Sequence, residues 1–464
     1  MREGSIAHEQ ARYAKLPAGV HGLAPELVRA DQTARLQAAM VELVAERGYA
    51  AVSVADVLAR AAVSRRTFYE HYANKQACFI AAYDAILGDW GIRAATAQQG
   101  AANWRASLRS STQAVMERVV ADPVAAHVVF VDALSAGPQA LERRTQAVAA
   151  FEHLASLSLQ TAPDGPQMRP AMVKVLVGGV REIFANRLRA QRVGDLPSFV
   201  DPLIEWMVCY RSGAAAEILD EAGTPATGSE RARPSPDADR AAAPVESATP
   251  PGAWLWLEDS AQPVVWLSPR DRILSAVTEI VTSKGWGALS VAEIARVART
   301  THQTFNKLFA STEQAFLAAH DAGVQQALAV ASDAALGAPS WPAAVRDGLV
   351  AEARFLASHP ETARMSFLEL YGAGPEGLER REALLQVLKD HLDSAPPRSR
   401  RAKQPPSIAE EAITGGILAL MRDTVQNPGP EHLPSVVPDA TFAALAPFTG
   451  AKAAATEAAR SANV

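Results

Sequence analysis

The feature that most constrains this chain is an internal repeat, in which equivalent residues are always 237 positions apart. The matched pairs include Gly48 and Gly285, Ser53 and Ser290, Phe68 and Phe305, Trp104 and Trp341, Pro123 and Pro360, and the glycine pairs 178–179 and 415–416. A register that holds without a gap over so long a span indicates two fused copies of one module. We place the copies at residues 31–220 and 268–457.

The segment between the copies, residues 221–252, is rich in Pro, Ala, Ser and charge and has almost no large apolar residue. Such a stretch cannot bury enough surface to fold, so it is predicted to be a flexible linker. Residues 1–30 are predicted to be an N-terminal arm, which would reach out to a binding partner, cap the first copy or remain a tail. The remaining predicted domains are 31–88 (first head), 89–220 (first body), 253–330 (second head with its leader) and 331–457 (second body).

Long Ala-rich segments with apolar residues at helical spacing predict an all-α fold, a tandem repeat of a three-helix head and a helical body. The formal net charge is only −5, so binding of nucleic acid requires a local basic patch. Cys78 and Cys209 are the two cysteines, and we interpret them as buried hydrophobic residues rather than as a disulfide or metal framework. We expect no cofactor and no metal.

Neither a signal peptide nor a membrane span is predicted. The N-terminus, MREGSIAHEQARYAK, has no apolar run, and the chain has no apolar stretch of about 18 residues. A cytoplasmic location is therefore the expectation.

Residues 31–80 carry the pattern of three helices. The apolar face of the first is formed by Leu36, Ala39, Met40, Leu43 and Val44. Gly48 ends this helix, Ser53 with Asp56 caps the second, and Ser64 caps the third, RRTFYEHY. Two short helices joined by a tight turn predict a helix-turn-helix, whose last helix enters the major groove.

This third helix lies in a locally basic stretch. Arg60, Arg65, Arg66 and Lys75 stand against Glu70 alone, which gives a local charge of +3. A patch of this kind is the electrostatic footprint of a DNA-binding head that the charge of the whole chain conceals.

The stretch ERGYAAVSVADVLARAAVSRRTFYEHYANKQACF resembles the helix-turn-helix of the tetracycline-repressor-like (TetR) family over its full length. The resemblance rests on Thr67, Phe68, Tyr69, Tyr72 and Lys75, which match the family's T-L/F-Y-x-H/Y-F pattern and the following lysine. It implies that Arg65, Arg66 and Thr67 face base edges or phosphates, that Tyr69 and Lys75 hold phosphates, and that Phe68 and Tyr72 anchor the helix. The candidate DNA-contacting residues of the first head are Ser64, Arg65, Arg66, Thr67, Tyr69, His71 and Lys75.

The second head keeps the positions that shape the fold and changes those that would face DNA. His302 and Gln303 replace the two arginines, Asn306 replaces Tyr69, and Thr312 replaces Lys75. Its candidate DNA-contacting residues are Thr301, His302, Gln303, Thr304, Asn306 and Lys307. Two interpretations stay open: a competent head with another base preference, or a head kept only for structure.

In TetR-like proteins the helical body binds a small effector and supplies a dimer interface. The glycine pair 178–179 in VKVLVGGVREIFANRL, with its counterpart in EEAITGGILALMRDTV, suits a close helix–helix seam, either within or between domains. Large apolar residues could line an effector pocket or simply form core. The pocket candidates are Met116, His127, Phe130, Phe151 and Trp206 in the first body and Phe355, Met365, Phe367 and Tyr371 in the second.

Catalysis is not indicated, because the sequence lacks HExxH, GxSxG, a phosphate-binding glycine loop and supported carboxylate pairs. The sequence predicts a transcriptional regulator that acts as a repressor. We expect it to bind double-stranded operator DNA and to respond to a small hydrophobic effector. We expect a monomer that acts as an intramolecular pseudo-dimer. The alternative is a scaffold or co-regulator with degenerate heads that binds no DNA.

Overall fold

The structure is a computed structural model, and it describes residues 24–134, 136–160, 168–223, 268–395 and 404–463. These residues form helices and connecting turns, with no strand among them, which confirms the predicted all-α class. Most of the predicted arm and almost all of the predicted linker lie outside the described residues. The remainder of each is helical, at 25–30 and 221–223.

The chain separates into two compact units, each assembled from two stretches of sequence. The first unit is Met1–Val208 with Pro406–Gly415, and the second is Cys209–Pro405 with Gly416–Val464. The helix that contains Gly415 begins in the first unit and ends in the second.

The first unit begins with three helices of the head and the one helix that leaves it, and continues with five helices of the body. In chain order the nine are α1 (Pro25–Arg47), α2 (Val54–Ala61), α3 (Arg65–His71), α4 (Lys75–Gln98), α5 (Trp104–Ala121), α6 (Pro123–Phe130), α7 (Pro138–Gln160), α8 (Pro170–Arg189) and α9 (Val200–Val208). Short 3-10 turns at Tyr49–Ala51, Asp132–Leu134 and Val193–Phe199 connect them.

The remaining helices belong to the second unit, except for the start of α18. In chain order they are α10 (Gly213–Gly223), α11 (Pro269–Lys284), α12 (Val291–Val297), α13 (His302–Leu308), α14 (Thr312–Leu336), α15 (Trp341–Ser358), α16 (Pro360–Arg364), α17 (Gly374–Asp393), α18 (Ala409–Gln426), α19 (Leu433–Thr449) and α20 (Ala451–Ala459). A π-helical turn at Met365–Glu369 follows α16.

The helix ends follow local chemistry that was readable in the sequence. Ser53 and Asp56 form the reciprocal capping box predicted for α2, with the Ser53 amide donating to the Asp56 carboxylate at 2.8 Å. Gly48, with φ of 75°, leaves α1 in a backbone region that residues with a Cβ rarely adopt. The five predicted core positions of α1 are all at most 1% exposed.

Helix α8 packs closely on the start of α18 within the first unit. A Cβ placed on Gly179 would meet the Ala412 carbonyl oxygen in hard contact and the Trp206 ring at 2.5 Å. At the end of this seam the Arg187 guanidinium donates two parallel hydrogen bonds to the Glu411 carboxylate, at 2.9 and 3.0 Å. The glycine is thus required by backbone approach, as the glycine pair predicted.

Among the described residues no single helix is both long and apolar enough to cross a membrane. One pair, Pro123–Leu134 with Gln139–Ser156, meets the length and composition limits only jointly and across a bend of 115°.

We predict that Gly179→Ala lowers the free energy of unfolding by about 1–3 kcal/mol, because the added methyl has no room between two backbones and a buried indole. Gly88→Ala is the matched control, since Gly88 lies in α4 with nothing within 4 Å of its Cβ position. It should stabilise by roughly 0.5–1 kcal/mol. Urea unfolding of both variants tests this; equal effects of the two changes would contradict the close approach.

Candidate DNA interface and ligand cavity

The turn between α2 and α3 has the geometry of a helix-turn-helix. Ala62 adopts a left-handed conformation, with φ of 51°, which redirects the chain after α2. The Ser64 hydroxyl then accepts a hydrogen bond from the Thr67 amide at 3.1 Å and so caps α3 as predicted. Phe68 is fully buried and fixes the opposite face of α3 against the head.

Arg35 holds this turn from behind. Its guanidinium is 8% exposed, donates to the Ala61 carbonyl oxygen at 2.9 Å and pairs with Asp31 at 2.9 Å. The carbonyl groups at a helix end otherwise lack partners, so the contact stabilises the end of α2. Sequence reasoning missed Arg35; the only signal was a charged residue next to the apolar face of α1.

The side chains at the start of α3 are exposed to solvent. Arg65 has no carboxylate partner among the described residues, whereas Arg66 pairs with Glu70 at 2.9 Å along the helix surface. Tyr69 is 52% exposed, with its ring edge on Phe68. Because a surface ion pair of this kind contributes little, Arg66 is free to exchange Glu70 for a phosphate.

Three residues of the predicted basic patch or contact set face inward instead. The Lys75 ammonium donates to the carbonyl oxygens of Tyr49 and Val52 at 3.0 and 2.8 Å, and burial lowers its pKa. Both ring nitrogens of His71 contact α1 side chains, at 3.1 Å each.

Arg60 is the third of these residues. It pairs with Glu42 at 3.1 Å and with Glu46 at 2.9 Å. The local charge of +3 counted along the sequence is therefore partly neutralised in three dimensions, and Arg65 and Arg66 carry the outward charge of α3.

A similar turn, with different residues at the surface, joins α12 and α13. Arg299 adopts the left-handed conformation, with φ of 49°, and the Thr301 hydroxyl caps α13 by accepting from the Thr304 amide at 3.1 Å. Phe305 is fully buried. The residues exposed on α13 are His302, Gln303, Asn306, Lys307 and Leu308.

The body of the first unit forms a cavity of about 480 Å³ that is open to solvent on one side. Phe130 and Phe151 line it, as the pocket candidates proposed, whereas Met116, His127 and Trp206 do not. Met116 and Trp206 are packed in the core, and His127 is paired with Asp132 at 2.8 Å. Arg144 and Arg181, which the sequence did not single out, line the cavity as well.

The four pocket candidates of the second unit occupy packed or stacked positions. Met365 borders a void of only about 10 Å³ beside His320 and is part of the head-proximal core. Phe355 stacks on His359 at 4.1 Å between ring centres, and Phe367 and Tyr371 are at most 6% exposed.

No group of three or more His, Cys, Asp or Glu side chains within the described ranges could hold a metal ion. Cys78 is fully buried, and burial raises the pKa of its thiol to about 12.

The segment that contains the first head matches a family model. Residues 36–82 match the model described as bacterial regulatory proteins, tetR family. This segment is therefore similar to a TetR-type N-terminal domain. It spans α1 from Leu36, the helix-turn-helix and the start of α4.

Several solved structures are similar to part of the chain. The fatty acid degradation regulator FadR from Bacillus halodurans is 16% identical over 37% of this chain and 96% of its own, with a TM-score of 0.35. FadR from Bacillus subtilis in complex with stearoyl-CoA is 17% identical over 39% of this chain and 97% of its own, also with a TM-score of 0.35.

A TetR-like transcriptional regulator from Rhodococcus sp. RHA1 is 18% identical over 39% of this chain and 96% of its own, with a TM-score of 0.33. At these values the likenesses carry no argument about what this chain binds. No curated protein sequence matches the chain.

We predict that Lys75→Met lowers the free energy of unfolding of the first head by about 1.5–3 kcal/mol, since two carbonyl groups lose a charged donor. Arg65→Met is the control; as an exposed substitution it should change stability by no more than about 0.5 kcal/mol. Chemical unfolding of both variants is the measurement. A Lys75→Met protein with unchanged stability and weakened DNA binding would show instead that the ammonium serves as a phosphate ligand.

Proposed function

We propose that the chain is a TetR-like transcriptional repressor that binds operator DNA through two unlike helix-turn-helix heads and releases it when a small apolar effector enters the first body. The observation that carries the proposal is the exposed start of α3, with Arg65 and Arg66, inside a TetR-type N-terminal domain. The start of such a helix is the part that enters the major groove.

The helix boundaries support a second copy of the module. Successive helices begin at residue pairs that keep the offset of 237: Val54 and Val291, Arg65 and His302, Lys75 and Thr312, Trp104 and Trp341, and Pro123 and Pro360. The left-handed turn residues Ala62 and Arg299 keep the same offset, as do Gly48 and Gly285. Because conformation and sequence agree at these positions, we assign a helix-turn-helix to α12 and α13 also.

Each compact unit contains helices from both sequence copies. In the first, α8 packs on the start of α18; in the second, α10 packs on α20, and the Tyr210 hydroxyl donates to the Ala443 carbonyl oxygen at 3.0 Å. Reciprocal packing of this kind is what a homodimer builds from two chains. We therefore propose a monomer that acts as a pseudo-dimer.

Helix α4 supports control by an effector. Its first residue, Lys75, is fixed to carbonyl groups of the head, and its later turns contribute Tyr83 and Trp90 to the cavity wall. One helix of 24 residues, about 36 Å long, thus belongs to both sites. A ligand that fits the cavity better in one position of α4 shifts the head toward the matching state.

The two recognition helices differ in the base chemistry that they present. Arginine forms paired hydrogen bonds with guanine, and glutamine does so with adenine. Arg65 and Gln303 are exposed near the starts of α3 and α13, so the two half-sites should differ in sequence.

We predict that Arg65→Ala weakens binding to a selected operator by roughly 1–3 kcal/mol and relaxes base preference in one half-site only. Gln303→Ala should relax preference in the other half-site. Arg65→Lys keeps the charge but not the planar fork, so it should retain nonspecific affinity and lose the preference. The measurement is the affinity of the full chain for every single-base variant of the operator.

Arg192→Ala, on an exposed arginine of the body, is the matched control for loss of a charge. It should leave both half-sites unchanged. Equal effects of Arg65→Ala on two identical half-sites would refute the proposal that two unlike heads each bind one half-site. If Arg65→Ala weakens operator binding and the changes at His302 and Gln303 do not, the second head is a structural partner only.

A further inference from the structure

The walls of the first cavity define what can fill it. They are formed by α4–α9 and carry a cluster of aromatic rings, with Trp90 stacked on Phe130 at 5.7 Å and Phe130 edge-on to Phe184 at 5.2 Å. An apolar surface of this kind gains free energy when it contacts apolar atoms instead of water or a void. The ligand that fills the cavity therefore has a hydrophobic chain.

The size of the cavity limits the length of this hydrophobic chain. Its volume of about 480 Å³ lies in the range of small-molecule sites. At about 30 Å³ for each water-sized group, it accommodates on the order of 16 such groups. An unbranched chain of about a dozen carbons with a small polar head fits this space.

The charge of the cavity is positive. Arg144 is 6% exposed and lines it, together with Arg181, and no aspartate or glutamate is among the described side chains of the wall. In contrast to Arg144, the neighbouring Arg143 lies outside the cavity, where its guanidinium donates to the Asp84 carboxylate at 2.6 Å. A buried cation is stable only when an anion or several acceptors compensate it.

Tyr83 is a polar residue of the wall with charged groups around it. Burial raises the pKa of this phenol to about 12; the positive charges of Arg181 and Arg143 act against the rise, and the negative charge of Asp84 adds to it. The hydroxyl, Arg181 and Arg144 come from three helices, α4, α8 and α7. Each of these side chains carries a hydrogen-bond donor that suits an oxyanion.

We propose that the cavity of the first body binds a carboxylate with an apolar chain of about a dozen carbons, with the carboxylate held by Arg144 and the chain lying among Trp90, Phe130 and Phe184. This inference rests on the proposed function, since it names the ligand class of the effector site. Arginine suits the task because its planar fork donates two parallel hydrogen bonds to one carboxylate.

The test compares three probes that share one chain length: dodecanoate, dodecanol and dodecylamine, each below its micelle-forming concentration. Calorimetric titration of the full chain should show one dodecanoate site, and binding of the neutral alcohol at least about tenfold weaker. The amine should not bind, because the buried guanidinium of Arg144 repels it. Equal affinity for acid and alcohol would overturn the carboxylate assignment.

Variants separate the charge from the fold. Arg144→Met should weaken dodecanoate binding at least about tenfold and leave dodecanol binding unchanged, which a general loss of structure would not do. Arg93→Met, on an exposed arginine of α4 outside the cavity, is the control and should change neither. Ala147→Phe fills the cavity from α7 and should abolish binding of both probes. Equal losses of acid and alcohol from Arg144→Met would refute the assignment.

Operator release distinguishes this inference from the proposed function. If dodecanol binds as tightly as dodecanoate and releases operator DNA, the carboxylate assignment fails and the effector site stands. If no probe binds while operator binding by the full chain is intact, the carboxylate assignment and the effector role of the cavity both fail, and the DNA-binding role stands. Tighter binding of dodecanoate with operator release supports both proposals.

Discussion

Helix α4 is the element on which the first unit depends, because it is shared by the head and the body. At one end, the Lys75 ammonium donates to the carbonyl oxygens of Tyr49 and Val52, which follow α1, and so fastens α4 to the head. At the other end, Trp90 and its neighbours form part of the cavity wall. A ligand that displaces this wall acts on a helix whose first residue is bonded to the head. Packed helices transmit such displacements because protein interiors have little free volume.

Much of the head was predictable from local rules. The ends of α2 and α3 follow from Ser53 and Ser64, whose hydroxyl groups cap the helices that come directly after them. The burial of Leu36 and Phe68 follows from their spacing on helices with one apolar face. These features depend on residues only a few positions apart, so one sequence suffices to find them.

The orientation of the charged side chains was not predictable in the same way. Arg60 is neutralised by Glu46, 14 residues earlier, and Lys75 is bound by the carbonyl of Val52, 23 residues earlier. A count of charge along the sequence places these groups on one surface, whereas the fold directs them to different partners. In the body, the spacing of Phe130 and Trp206 indicated buried helix faces but could not say which face borders a cavity and which is packed. Buried Arg144 became recognisable only when the surrounding wall was known.

The central claim is that one chain carries both readers of a single operator. Native mass spectrometry of the full chain with a selected operator duplex tests it most directly. The account predicts one chain of 49.2 kDa per duplex, with nuclease protection of two half-sites of unlike sequence. Two chains on a palindromic duplex, or protection of one half-site by one chain, would contradict it.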